Sequence, residues 1–190
     1  MHTLKPLKVP DTSQRILRKI WGIAWLFLYR PSPVALYAWR RMLLRLFGAK
    51  VGPAAHPYPT AKIWAPWNLV MHADSCLGPY SECYNVASVT LKERAIVSQH
   101  GYLCTASHTI DQNFTLVGAP IVMEPFSWVA AKATVGPGVT LGAGAVLGAG
   151  AVTSKDIPEG EVWVGNPARH VSSSELCPDT LRHAKAVSDA

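Results

Sequence analysis

Residues 123–152 read MEPFSW VAAKAT VGPGVT LGAGAV LGAGAV, five hexads in unbroken phase. Each opens on an aliphatic residue: Met123, Val129, Val135, Leu141, Leu147. A period of six fits neither an α-helix nor a simple amphipathic strand. It predicts a solenoid of short strands joined by tight corners, with three hexads closing one triangular coil. The aliphatic residue of each hexad then points inward and stacks on its counterpart in the next coil. Gly136, Gly142 and Gly148 follow it, where a sharp turn favours a residue without a Cβ. Small Ala133, Ala145 and Ala151 keep the narrow interior from being overfilled.

The same spacing extends outward from this stretch. Val117 (VGAPIV) continues the frame backwards, and Leu91, Val97 and Leu103 keep the interval, as do Met71, Leu77 and Cys83. A slip of two residues between Cys83 and Leu91 makes the earlier coils less regular. The phase fails through SHTIDQNFTLVGAP, which predicts a loop at 107–120 thrown out from the coils. Loops held by a rigid scaffold are where binding and catalytic side chains collect. The expected organisation is a basic helical segment at 1–50, a parallel β-helix at 51–172 and a polar, mobile tail at 173–190.

Charge is unevenly distributed. Residues 1–50 hold ten Lys/Arg and one acidic residue, Asp11, a net of +9, while 51–190 carry a net of −3. A nucleic-acid partner would need basic residues on the folded body, so this class is not expected. The uncharged run Ile20–Tyr29 is too short to span a bilayer, and no cleavage site of the signal-peptide kind follows it. A second helix is expected from Val34 to Phe47. Trp21, Trp25 and Trp39, among cations that include Arg40, Arg41 and Arg45, suit a water–lipid boundary. Peripheral membrane contact through residues 15–47 is therefore expected, on a cytoplasmic protein at the inner face of the membrane, the alternative being helices that simply cap the core. Cys76, Cys83, Cys104 and Cys177 have no metal-ligand spacing and read as buried thiols.

The stretch from Trp67 to Val171 resembles the hexapeptide-repeat acetyltransferases, and within them the colanic-acid-biosynthesis type of sugar O-acetyltransferase. The resemblance rests on PWNL (66–69), SQHGYLCTASH (98–108), the hexads from Met123, SKDIP (154–158) and VGNPAR (164–169), with WRRMLLRLFGAKVG (39–52) before them. It implies a left-handed coil, a homotrimer, and acetyl-CoA as co-substrate in a groove between adjacent β-helices. The acceptor it implies is a sugar or exopolysaccharide-precursor hydroxyl.

The resemblance places the catalytic histidine at His108, a neutral imidazole suited to taking a hydroxyl proton near neutral pH. The family often carries an acid directly after it, whereas here Thr109 follows and Asp111 is the nearest acid. Asn85 is placed against the acceptor, or else is a corner residue in a left-handed conformation. Ala131 and Ala149 align with contacts to coenzyme A, Ser154 and Lys155 with its nucleotide end, and Arg169 with a phosphate. Trp128 should project outward, toward the cofactor groove or a neighbouring subunit. No acyl-enzyme nucleophile is expected, Cys104 reading as packing. The alternatives are a zinc-dependent, carbonic-anhydrase-like β-helix using His72, His100 and His108, or a non-catalytic scaffold. The histidine spacing fits zinc poorly, so no metal is expected.

Overall fold

A computed structural model describes residues 4–7 and 11–176; most of the expected tail, and Cys177, lie outside the described residues. From Lys50 onward the chain winds as a left-handed parallel β-helix of about six coils. Three sheets form the faces of the prism. The first stacks Lys50–Val51, Leu69–Met71, Val89–Leu91, Ile121–Met123 and Thr140–Leu141. The second runs from His56–Pro57 through Cys76–Leu77, Ile96–Val97, Trp128–Val129 and Val146–Leu147 to Glu161–Val164, which Arg169–Ser173 closes as an antiparallel edge. The third stacks Lys62–Ile63, Glu82–Tyr84, Tyr102–Cys104, Thr134–Val135 and Val152–Thr153.

The leading residue of each hexad does point inward. Val51, Met71, Leu91, Met123 and Leu141 lie in register down the first face, and Leu77, Val97, Val129 and Leu147 down the second. All are buried, as are Ala133, Ala145 and Ala151 at the fifth position. The turn, however, is made at the fourth position and not the second. Positive φ recurs at Asp74, Arg94, His100, Phe126 and Lys132 and then at Gly138, Gly144 and Gly150. The glycine after the leading residue serves close coil-to-coil approach instead: a Cβ on Gly142 would stand 2.5 Å from the Glu159 nitrogen.

The two-residue slip is also resolved. The steps from Val51 to Met71 and from Met71 to Leu91 are each two residues longer than that from Met123 to Leu141, and the extra chain sits at the corner between the third and first faces. There a 3-10 turn, Pro66–Asn68, is held by Asn85, and Asn68 Nδ2 in turn donates to the carbonyls of Asn85 and Val86. Val117 does not continue the hexads. It lies in Leu116–Gly118, which pairs antiparallel with Ala106–His108 and with Lys5–Pro6, so the expected loop is a three-stranded ribbon leaving the same corner.

The N-terminal segment forms α1 (Thr12–Ala24), capped by the Asp11 carboxylate on Gln14 N–H, and runs on as a π-helical stretch, Trp25–Tyr29. After the Pro31–Pro33 turn comes α2 (Tyr37–Leu46), starting three residues later than expected. In the coils, N–H groups of one rung donate to carbonyls of the next, as Gly52 N–H does to Met71 and Trp64 N–H to Cys83. The first coil's own carbonyls therefore have no rung to supply donors, and buried carbonyls need them. Side chains of the helices provide them. Trp21 Nε1 donates to Ile63 O at 2.7 Å, Trp25 Nε1 to Ala61 O at 2.9 Å and Arg40 Nε to Pro57 O at 2.7 Å. Arg41 Nη1 reaches Ala55 O at 2.9 Å and Arg45 Nε Val51 O at 2.9 Å. These indoles and guanidiniums thus cap the solenoid, which is the alternative role expected of the helices, and it is not their side chains that are free to face lipid. Trp39, whose Nε1 donates to Leu28 O, stays on the outer side. No described helix is long and apolar enough to cross a membrane.

Candidate active site

The ribbon lifts His108 clear of the coils, and its side chain is exposed. The imidazole lies flat on Phe114, with centroids 4.2 Å apart and planes 3° from parallel. Asp111 does not take the place of the missing neighbouring acid. Its Oδ1 accepts from Thr109 Oγ1 at 2.8 Å and from the N–H groups of Asn113 and Phe114. The Thr109 hydroxyl, followed by those backbone donors, holds the carboxyl below the ordinary Asp range. Asp111 therefore folds the ribbon tip, and the tip delivers Phe114 to the histidine. Phe114 escaped sequence reasoning because an exposed aromatic in a loop has no periodicity to betray it.

Four of the proposed cofactor residues gather on a different corner. Trp128 projects outward from the second face, with its Nε1 donating to Ser98 Oγ at 2.8 Å. Just beyond, at the corner between the second and third faces, Ala131 and Ala149 sit on successive coils, linked by Gly150 N–H to Ala131 O at 2.9 Å. The turn leading to Arg169 lies under them, since Val152 N–H donates to Gly165 O and Ala168 N–H to Val152 O. Arg169 is exposed there. Ser154 and Lys155 fall instead on the corner that carries His108, two coils further along, where Thr153 Oγ1 accepts from Lys155 N–H and donates to Lys155 O. Within one chain, then, His108 and the Ala131–Ala149 column are separated by a full face of the prism.

Asn85 is fully buried, and its carboxamide is spent on Ala65: Oδ1 accepts from Ala65 N–H at 2.9 Å and Nδ2 donates to Ala65 O at 2.7 Å. A side chain so placed holds a corner and has no surface for an acceptor, but its backbone is not left-handed as the corner reading expected, because the amide bonds to Ala65 fix the turn instead. On the same corner, beside the ribbon, a cleft of about 240 Å³ is lined by Trp64, Trp67, Asn68, Gln14, Arg18 and Leu7. The Arg18 guanidinium lies 4.1 Å from the Trp64 ring centroid. Leu7 N–H bonds Leu116 O, and Leu116 is the cross-strand partner of His108. Two strand spacings, about 10 Å, therefore separate the cleft's edge from the histidine backbone.

The histidines do not converge. His72 pairs with Glu93 at 2.9 Å, and His100 stacks on Tyr80 with centroids 5.2 Å apart. Among the described residues no three His, Cys, Asp or Glu side chains are grouped to hold a metal ion. Burial pushes the Cys76 thiol up to about 11 and the Cys83 thiol further. Among the described thiols only Cys83 is buried as expected: Cys76 and Cys104 are half-buried, because Cys104 follows inward-facing Leu103 and points outward, its thiol 3.1 Å from Ala106 O.

No family model matches the chain. A protein of Escherichia coli K12 named as a colanic acid biosynthesis acetyltransferase, WcaF, is 38% identical over 151 residues, 79% of this chain and 83% of that one. A maltose O-acetyltransferase structure from Clostridium difficile superposes with a TM-score of 0.78 at 23% identity, covering 87% of this chain and 90% of that one. A hexapeptide-repeat acetyltransferase of Vibrio cholerae, in complex with acetyl-CoA, gives 0.76 at 22% identity, with 87% and 91% covered. The coils, the ribbon at their corner and the similarity to WcaF over most of both chains lead to one assignment: the chain belongs to the hexapeptide-repeat acetyltransferases.

Proposed function

We propose that the protein transfers an acetyl group from acetyl-CoA to a hydroxyl of a sugar, in an exopolysaccharide or its lipid-linked precursor, with His108 as general base. The observation that carries this reading is His108 itself, an exposed imidazole raised on a ribbon and held by Phe114 beside an aromatic cleft. The imidazole takes the acceptor hydroxyl proton as its oxygen attacks the thioester carbonyl. The tetrahedral adduct collapses, the C–S bond breaks, and the imidazolium returns the proton to the departing thiolate, leaving an ester and free coenzyme A. Trp67 suits the apolar face of a pyranose, while Arg18, stacked on Trp64, and Gln14 suit its hydroxyls. Trp128, Ala131, Ala149, Ser154, Lys155 and Arg169 are the proposed coenzyme A contacts: small side chains for close approach to the pantetheine, and cations for the phosphates.

The separation of His108 from the Ala131–Ala149 column supports a homotrimer in which the corner of one subunit faces the column of the next. The place of action is the cytoplasm, at the inner face of the membrane. The test is His108→Ala, which should lower turnover by about 10²–10⁴ while acetyl-CoA still raises the melting temperature. Unchanged turnover would remove the base, and absence of any acyl-CoA stabilisation of the wild type would remove the donor.

A further inference from the structure

The end cap is an inverted amphipathic surface. Its indoles and guanidiniums turn inward to the first coil's carbonyls, and much of its apolar surface turns out. Ile16, Ile20, Ile23 and Phe27 fall on one helical stripe and are 53%, 50%, 62% and 67% exposed. On α2, Met42 and Leu46 are also exposed. An apolar face of this extent marks a contact surface.

Charge identifies the occupant. Arg15, Lys19 and Arg30 are exposed on the same segment, and no acidic residue follows Asp11 anywhere in the cap. Stacking this face on a second copy would oppose two cationic surfaces, which like-charge repulsion disfavours. Apolar side chains flanked by cations, on helices too short to span, are the makings of an in-plane interfacial anchor on anionic lipid.

We infer that the outer face of the cap docks on an anionic bilayer surface, with Ile16, Ile20, Ile23 and Phe27 entering the acyl boundary and the coils rising away from it. This docking is independent of the transfer chemistry, so either can fail alone. The full-length protein is floated with phosphatidylcholine vesicles containing about one-third phosphatidylglycerol, and with phosphatidylcholine alone. The wild type should float with the anionic vesicles. Ile20→Glu/Ile23→Glu/Phe27→Glu should lower partitioning about 100-fold, with unchanged thermal unfolding and unchanged oligomer mass. Met42→Glu/Leu46→Glu tests the same face from α2, should the first variant fold poorly. A wild type that stays unbound would overturn the inference. So would variants that float equally, or a mass that falls in the variants, which would make the face a contact between copies.

Discussion

Phe114 lies against His108 in a nearly parallel stack, and the Asp111 carboxylate is spent on Thr109 Oγ1 and the N–H groups of Asn113 and Phe114 at the ribbon tip. The ring plane of the proposed base is therefore set by van der Waals contact and not by a carboxylate. Phe114→Ala should lower kcat about tenfold through loss of orientation, with KM for acetyl-CoA unchanged. Phe114→Tyr should retain the stack and the rate; steady-state kinetics on both variants checks this. His108 was legible in the sequence because it ends an in-phase hexad where the phase fails, and because the resemblance places a base there. Phe114 was not, since its partner was defined only when the ribbon closed. Asn85 was half legible: a corner role was one of two expectations, and only its burial with both amide groups bonded to Ala65 favoured it.

Among the elements, the cap carries the heaviest local load. Arg40 is fully buried and donates to the carbonyls of Pro57, Pro33 and Val34 and to Ser32 Oγ, with the Tyr37 ring 4.7 Å away. Its guanidinium is charged yet faces neutral acceptors, and desolvation lowers its pKa from the usual value. Arg40→Leu should cost about 3 kcal/mol, because several buried carbonyls lose their donor at once. Tyr29→Phe, in the same cluster, should do the opposite and gain up to about 1 kcal/mol, since the Tyr29 hydroxyl is buried with no hydrogen-bond partner among the described residues. Thermal or urea unfolding of the two variants provides the comparison. The helices themselves were readable from their apolar and basic composition. Their inside and outside were not, because both sides of α1 are apolar and only the position of the orphan carbonyls decides which way Trp21 and Trp25 turn.

For the whole molecule, the proposed groove requires two chains, one contributing the His108 ribbon and the other the Ala131–Ala149 column. Coexpressing His108→Ala with Ala149→Trp should restore turnover that neither variant shows alone, because a mixed trimer contains some grooves with both parts intact. Failure to complement would confine the site to one chain. The coil was written in the periodicity: a residue that must face inward every six positions specifies a triangular solenoid, and that constraint is local and repeats. Tertiary structure alone decided what joins the coils and closes their end. Asn85 meets Ala65 and Trp21 meets Ile63 across separations of 20 and 42 residues. A buried donor or acceptor must find its partner wherever the winding happens to bring one, and no short-range pattern records that distance.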